Sequence, residues 1–365
     1  MVKILFLSGS LAQNGTEMFM MNVLRSIDRN LFHIDFCITN GEITPNRKEA
    51  ESLGCKVFVL PSRRENFIKS AIAFTNFFRK HGAEYNAIHW NGGNLSSILV
   101  FILAWFYKIP VRIVHAHSSS AVGLHNRVLH NLNRRLIPYL CNRLFACSPE
   151  ASRFFYRSNP SVIINNGIDV NKFDYNLDVR KRVRNDLRIA DDTILLGHVG
   201  RFDDNKNHAF MLDLFESFHR EHVNSAFVFV GNGITFNKIK EEAAQKGLQD
   251  FIIFTGSRND VNELMQAMDC FIMPSKFEGL PFVLIEAQCA GLPCVISDTI
   301  SKEVNITGNV KFISLVSPVK DWCNMVYQTV TLHVRSSQSR KVADEGYSIN
   351  KTVKYLEDIY KNEAR

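Results

Sequence analysis

Residues 270–298 read CFIMPSKFEGLPFVLIEAQCAGLPCVISD, and the pattern of this stretch decides the fold. Cys270 to Met273 is a strand-length apolar run that ends at Pro274-Ser275. A glycine turn at Gly279 follows. A helix then runs from Pro281 to Ala290, with its proline in the first turn, a favoured early helix position. Cys294-Val295-Ile296 is the next strand. Strand, turn, helix, strand is the unit from which parallel sheets with helical crossovers are built.

The same cadence extends outward in both directions. Upstream, Thr193–Val199, Ala226–Val230 and Phe251–Thr255 read as strands. Ala209–Glu221, Phe236–Gln245 and Asp260–Met268 read as helices between them, and Lys311–Phe312–Ile313 is a last strand. The first half repeats the theme, with strands at Lys3–Ser8, Phe32–Thr39, Lys56–Leu60, Ala87–Trp90, Arg112–His117 and Arg143–Ser148. Met18–Ile27 and Phe67–Lys80 have helical periodicity. Two doubly wound parallel-sheet, Rossmann-like domains are therefore expected, facing a central cleft lined by the carboxyl ends of their strands. The boundaries fall at 1–165 for the first domain and 166–345 for the second. Residues 346–365 form a terminal helix. Ser96–Tyr107 is the most hydrophobic stretch, too short to span a bilayer, where about 20 apolar residues are needed. It reads as a buried helix, with an interfacial segment as the alternative.

Composition agrees with two cores. The chain has 365 residues, 46% hydrophobic and 22% charged, more than one core usually holds. Its eight cysteines show no Cys-x-x-Cys spacing, which favours buried reduced thiols over disulfides or a metal site. No signal peptide is legible at the start, and the chain reads as cytoplasmic. The net charge of +7 is uneven, because residues 1–165 carry +10 and the remainder −3. Arg127, Arg134, Arg135, Arg143, Arg153 and Arg157 lie where few acids offset them. That asymmetry points either to a solvated face or to an anionic partner, such as the inner face of the cytoplasmic membrane. No aromatic platform accompanies it, so nucleic acid is not expected.

Several residues carry chemistry. The amides of Phe282, Val283 and Leu284 open a helix and lack partners within it, so with the helix dipole they suit a diphosphate. Glu278 lies just before that helix, at the cleft edge. Glu286 lies a turn inside it, where a carboxylate can accept two hydrogen bonds from a ribose diol. Arg201 and Lys206 follow the strand ending at Val199, and offer a phosphate a planar fork and a point charge. Gly231 and Asn232 follow the next strand. Gly15, after the first strand, lets backbone approach a phosphate. His115 and His117 follow a strand end, and His117, beside Ser118-Ser119-Ser120, is the stronger candidate. His89 and His198 also end strands and are expected to be structural or to stand behind the residues that touch ligand.

The string SKFEGLPFVLIEAQCAGLPCVISD closely resembles the Glu-x7-Glu signature of family 4 retaining glycosyltransferases, the group 1 type of the GT-B fold. Gly200-Arg201-Phe202-x3-Lys206-Asn207-His208 resembles the family's basic donor-phosphate motif, and Val230-Gly231-Asn232-Gly233 its glycine turn. Asn166-Gly167-Ile168-Asp169 resembles its inter-domain passage, and Tyr347–Tyr360 the last helix, which in the family packs back on the N-terminal domain. Asn14-Gly15-Thr16-Glu17 departs from the usual pattern by replacing the first glycine.

The resemblance implies retaining transfer from a nucleotide-diphosphate sugar, a UDP-sugar, with no cofactor and no metal. The acceptor would be a saccharide or a lipid-diphosphate-linked saccharide, in surface polysaccharide biosynthesis. His117, Arg201, Lys206 and Glu278 would be catalytic. Gly15, Arg201, Lys206, Gly231, Asn232, Phe282, Val283, Leu284 and Glu286 would bind the donor. The alternatives are a nucleotide-sugar epimerase on the same fold and a non-catalytic nucleotide-sugar-binding protein. A peripheral membrane contact through the basic domain is also expected.

Overall fold

The computed structural model describes residues 1–12, 14–120, 123–278 and 280–363. The glycine turn expected at Gly279 lies outside the described residues. The chain divides into two compact units, Met1–Gly167 with Ser348–Arg365, and Ile168–Tyr347.

The first unit holds seven strands: β1 Val2–Ser8, β2 Phe32–Ile38, β3 Val57–Val59, β4 Ala87–Gly92, β5 Val111–Ala116, β6 Arg143–Ala146 and β7 Val162–Ile163. They pair in parallel in the order β3-β2-β1-β4-β5-β6-β7. Ile4, Leu5, Phe6 and Leu7 of β1 are all buried. A central parallel strand is covered by helices on both faces, so its apolar run is continuous rather than alternating. The second unit holds β8 Ile194–Val199, β9 Ser225–Val230, β10 Ile252–Phe254, β11 Cys270–Met273, β12 Cys294–Ser297 and β13 Val310–Ile313. Their order is β10-β9-β8-β11-β12-β13, again all parallel. Both sheets are doubly wound, as expected. The strand order reverses between β1 and β4 in one unit and between β8 and β11 in the other. At such switch points the loops leaving the carboxyl ends diverge and open a crevice for ligand.

The helix Ile349–Glu363 belongs to the first unit. Leu356 and Tyr360 on it are fully buried, and Glu357 accepts a 2.8 Å bond from the Asp28 amide. The chain enters this helix against Gly167, where a β-carbon would lie 2.8 Å from the Ile349 nitrogen. Only glycine fits that crossing.

Two expectations are corrected. Ser96–Tyr107 is not a buried helix: the helix is Leu99–Phe106, and it buries Phe101, Leu103 and Ala104 while exposing Ile102, Trp105 and Phe106. The stretch is apolar all round, so its pattern did not show which face the sheet would leave uncovered. Ile163, the first residue of the connector expected over 163–169, pairs with Ala146, so Val162–Ile163 is an edge strand on β6. The eight cysteines are free, and all but Cys147 are buried.

Candidate functional site

In the second unit the loops leaving β8, β9 and β11 converge at the switch point. The β8 and β9 loops are zipped together: the Gly200 amide donates to Val230 O at 3.0 Å and the Phe202 amide to Asn232 O at 3.0 Å. Asn232 folds its own side chain back to accept from the Gly233 amide at 2.7 Å. Gly231 has φ +141°, and a β-carbon on it would lie 1.9 Å from Gly200 O. The loop after β8 is anchored by Phe202, fully buried, stacked on His208 with centroids 3.9 Å apart.

Arg201 and Lys206 leave this loop differently. Arg201 is largely exposed and bonds Asp203 through Nε at 2.8 Å. Burial pushes the Asp203 carboxyl up, but hydrogen bonds from Arg201 and the Lys206 and Asn205 amides outweigh it and hold the carboxyl below its ordinary range. Lys206 is mostly buried, and its Nζ lies 2.7 Å from Glu278 Oε1. Asn205, missed in the sequence, is the clamp between the loops. Its Nδ2 donates to Phe277 O at 2.7 Å and to Glu278 Oε1 at 3.1 Å, and its Oδ1 accepts from the Phe277 amide at 3.1 Å. The signal was available: a polar residue that can both donate and accept, between two motif cations.

The β11 loop is held from below. Ser275 O accepts from Ser297 Oγ at 2.6 Å and Thr299 Oγ1 at 2.7 Å. The helix runs Phe282–Cys289, and Pro281 is its cap rather than its first residue, with φ −73° and ψ 123°. One amide call is corrected: Leu284 N–H donates to Pro281 O at 3.1 Å. The tightened first turn consumes it, leaving Phe282 and Val283 as helix-start amides with no partner among the described residues. Glu286 is half-buried and has no hydrogen-bond or ion-pair partner among the described residues. Burial raises its carboxyl to about 7, against a weaker pull downward from Lys172. Arg201, Lys206, Gly231, Asn232, Glu278, Phe282, Val283 and Glu286 are thus brought to one sheet edge.

In the first unit Gly15 is exposed and opens the helix Gly15–Ser26 after β1, three residues earlier than the apolar periodicity indicated. His115 lies inside β5 and is fully buried; His117 lies just beyond the strand. His117 Nε2 is 3.1 Å from Asn91 Oδ1, and its amide donates to Gly92 O at 3.0 Å. A chain of rings runs inward from it. His117 and His115 have centroids 4.1 Å apart, His115 Nδ1 is 3.3 Å from His89 Nε2, and His89 Nδ1 is 2.6 Å from the Tyr360 hydroxyl.

Burial lowers all three histidines, His89 and His117 to about 3. Their folded values lie below the unfolded value near 6.5. Their contribution to stability is therefore held above about pH 6.5 and lost as the pH falls from there toward 3. We expect the melting temperature to drop between pH 6.5 and 5, with the ring protons of His115 and His117 staying at neutral-form NMR shifts. A titration midpoint near 6.5 for either ring would contradict this.

With this geometry in place, the comparisons with known proteins decide the family. The sequence profile of the glycosyl transferases group 1 matches residues 179–321. The glycosyltransferase EpsF of Bacillus subtilis is 30% identical over 369 aligned residues, covering 98% of this chain and 96% of that protein. The chain is a group 1 glycosyl transferase. This glycosyl transferase is also 27% identical over 215 residues to the Escherichia coli UDP-Gal:alpha-D-GlcNAc-diphosphoundecaprenol alpha-1,3-galactosyltransferase, covering 54% of the chain and 53% of that protein. In structure it resembles Anabaena HepE, crystallised in complex with UDP, with a TM-score of 0.78 over 99% of this chain and 100% of that one. At 16% identity that likeness is one of fold, the two-domain GT-B class.

Proposed function

We propose that this glycosyltransferase is a retaining, metal-independent enzyme that takes its sugar from a nucleoside diphosphate, UDP. The acceptor we assign is a saccharide or lipid-diphosphate-linked saccharide of surface polysaccharide biosynthesis. The observation that carries the donor reading is the Glu286 carboxylate, without a partner among the described residues and one turn inside a helix that starts at the same sheet edge as the Lys206–Glu278 pair. The name of the E. coli relative, with its UDP-Gal donor and diphosphoundecaprenol-linked acceptor, supports the acceptor class and the UDP donor.

In this reading Phe282 and Val283 amides, Arg201 and Lys206 hold the diphosphate. Gly231 and Asn232 admit it closely, and Glu286 accepts both ribose hydroxyls. Glu278 holds hydroxyls of the sugar. The bond from the anomeric carbon to the diphosphate breaks while the acceptor oxygen bonds to the same face, and the acceptor proton leaves with the diphosphate. Charge grows on the departing phosphate, so the cations and amides favour the transition state over the ground state. For the first unit the reading names His117 as the catalytic side chain and the helix start at Gly15 as a phosphate contact.

The test is incubation with UDP-sugars and lipid-linked acceptors, following UDP release and the anomeric configuration of the product by NMR. An inverted product overturns the retaining assignment. UDP affinity is expected to rise severalfold from pH 6 to 8, because Glu286 must be ionised to accept from the ribose and burial holds it near 7. Glu286→Gln should bind more weakly and lose that pH dependence. No helix among the described residues is long and apolar enough to cross a membrane. We assign a peripheral contact at the inner face of the cytoplasmic membrane to the basic first unit. Failure to sediment with anionic liposomes at low salt would refute it.

A further inference from the structure

Beyond the donor site, the basic first unit holds an arginine cleft. Between Glu84 and Asp169 the chain has one carboxylate, Glu150, against eight lysines and arginines. Glu150 is already paired with Arg153. Arg134 and Arg135 follow the helix Leu124–Asn133, and Arg157 follows the helix Pro149–Tyr156. The fold brings these two helix ends together around a cleft of about 250 Å³, lined by Arg134, Arg135, Tyr139, Arg157, Ser158 and Asn159.

Four observations point to an anion in that cleft. First, none of the three guanidinium groups has a carboxylate partner among the described residues, and Arg135 and Arg157 lie near enough to Arg134 for their charges to act on it. Second, Arg134 donates through Nη1 to Phe154 O at 3.0 Å, while its Nε is buried with no partner. Burial and the nearby charges of Arg157 and Arg135 all lower its affinity for the proton. Third, Arg157 has φ +57°, a conformation a bulky residue seldom adopts and one held at some cost in strain. Fourth, the rest of the lining, Pro138, Tyr139, Tyr156, Ser158 and Asn159, carries no carboxylate to compete for the guanidinium groups.

Arginine at a helix C-terminus is favoured by the helix dipole. That accounts for one cation at each helix end, not for three around a shared cleft with an orphaned N–H. Planar guanidinium forks match the oxygens of phosphate. The cleft is lined by residues that precede β6 and β7 in the chain, and it shares none of them with the donor-site residues or with Gly15 and His117.

We infer that Arg134, Arg135 and Arg157 form a second anion site, which takes a phosphate or diphosphate group. The group could be carried by a lipid headgroup or by a soluble phosphate. This does not depend on the donor reading, and its test is arranged accordingly.

The whole enzyme, saturated with UDP to occupy the donor site, would be titrated calorimetrically with inorganic pyrophosphate and, separately, with short-chain water-soluble phosphatidic acid. Wild type should bind at least one of them. Arg135→Gln/Arg157→Gln should weaken that binding at least tenfold, while the double lysine variant, which keeps charge but loses the forks, should fall between. Both glutamine positions are exposed, so the melting temperature and UDP binding should stay unchanged and report an intact fold. Phosphatidic acid binding at least tenfold tighter than pyrophosphate assigns the site to a lipid; equal or weaker binding assigns it to a soluble phosphate. No binding of either probe above UDP saturation, or binding untouched by the glutamine variant, overturns the site. If UDP does not bind at all, the donor reading fails and the arginine result still stands.

Discussion

Lys206→Ala is expected to lower kcat/KM by roughly 10²- to 10³-fold, the loss typical of removing one preorganised group that meets developing charge. Lys206 Nζ lies 2.7 Å from Glu278 Oε1, and both side chains are mostly buried. Before donor binds, each charge is compensated by the other. When a diphosphate arrives, the ammonium faces an anion on either side and gains most as the phosphate departs. The alanine variant removes that gain and leaves Glu278 with Asn205 as its remaining neighbour, so an uncompensated carboxylate repels the donor.

Two consequences separate these effects. Lys206→Arg should retain part of the activity, because charge is kept while position is not. Adding Glu278→Gln to Lys206→Ala should recover UDP affinity, though not turnover, by removing the stranded anion. Kinetics and calorimetry on the three variants decide the matter. A Lys206→Ala enzyme within about threefold of wild type would end the assignment of this residue.

Gly231→Ala is expected to cost about 3–5 kcal/mol of stability in the second unit, the range of severe backbone and packing violations. A β-carbon 1.9 Å from Gly200 O cannot be relieved by turning a side chain, since the obstacle is backbone. The β8 and β9 loops would have to separate. That places at risk the bonds from Gly200 N to Val230 O, Phe202 N to Asn232 O and Gly231 N to Gly256 O, all between 2.9 and 3.0 Å. A unit of this size should lose on the order of 10 °C in melting temperature, and UDP should no longer raise it. Gly247→Ala is the control: it also has positive φ, +71°, but nothing within 4 Å of the new β-carbon. It should cost only about 1 kcal/mol of strain. Calorimetry that finds the two variants equally stable would show that the approach to Gly200 is not tight.

The contrast between these glycines also shows what could be read along the chain. Val230-Gly231-Asn232-Gly233 was legible as a turn after a strand, because an apolar run stops at glycine. That Gly231, and not Gly247, admits no β-carbon depends on Gly200, thirty-one residues away. The same holds for the Ser275–Ala287 string. Its helix, its free first amides and the one-turn offset of Glu286 follow from local spacing. The capture of the Leu284 amide by Pro281, and the rise of Glu286 to about 7, follow from a tightened turn and from neighbours that exclude water.

By itself, the sequence determined the two doubly wound sheets. Parallel strands are buried on both faces and write themselves as continuous apolar runs, and the helices between them have their own period. It also determined which motifs fall at strand ends, and through the Glu-x7-Glu string the family. Only the tertiary structure decided that Lys206 meets Glu278, that Asn205 clamps both loops, and that Ile102, Trp105 and Phe106 face outward. It alone joined three arginines from two helix ends around one cleft. The physical reason is common to all four. Periodicity is a property of neighbours in the chain, whereas charge pairing, desolvation and exposure depend on which distant segments the fold brings alongside, or leaves away.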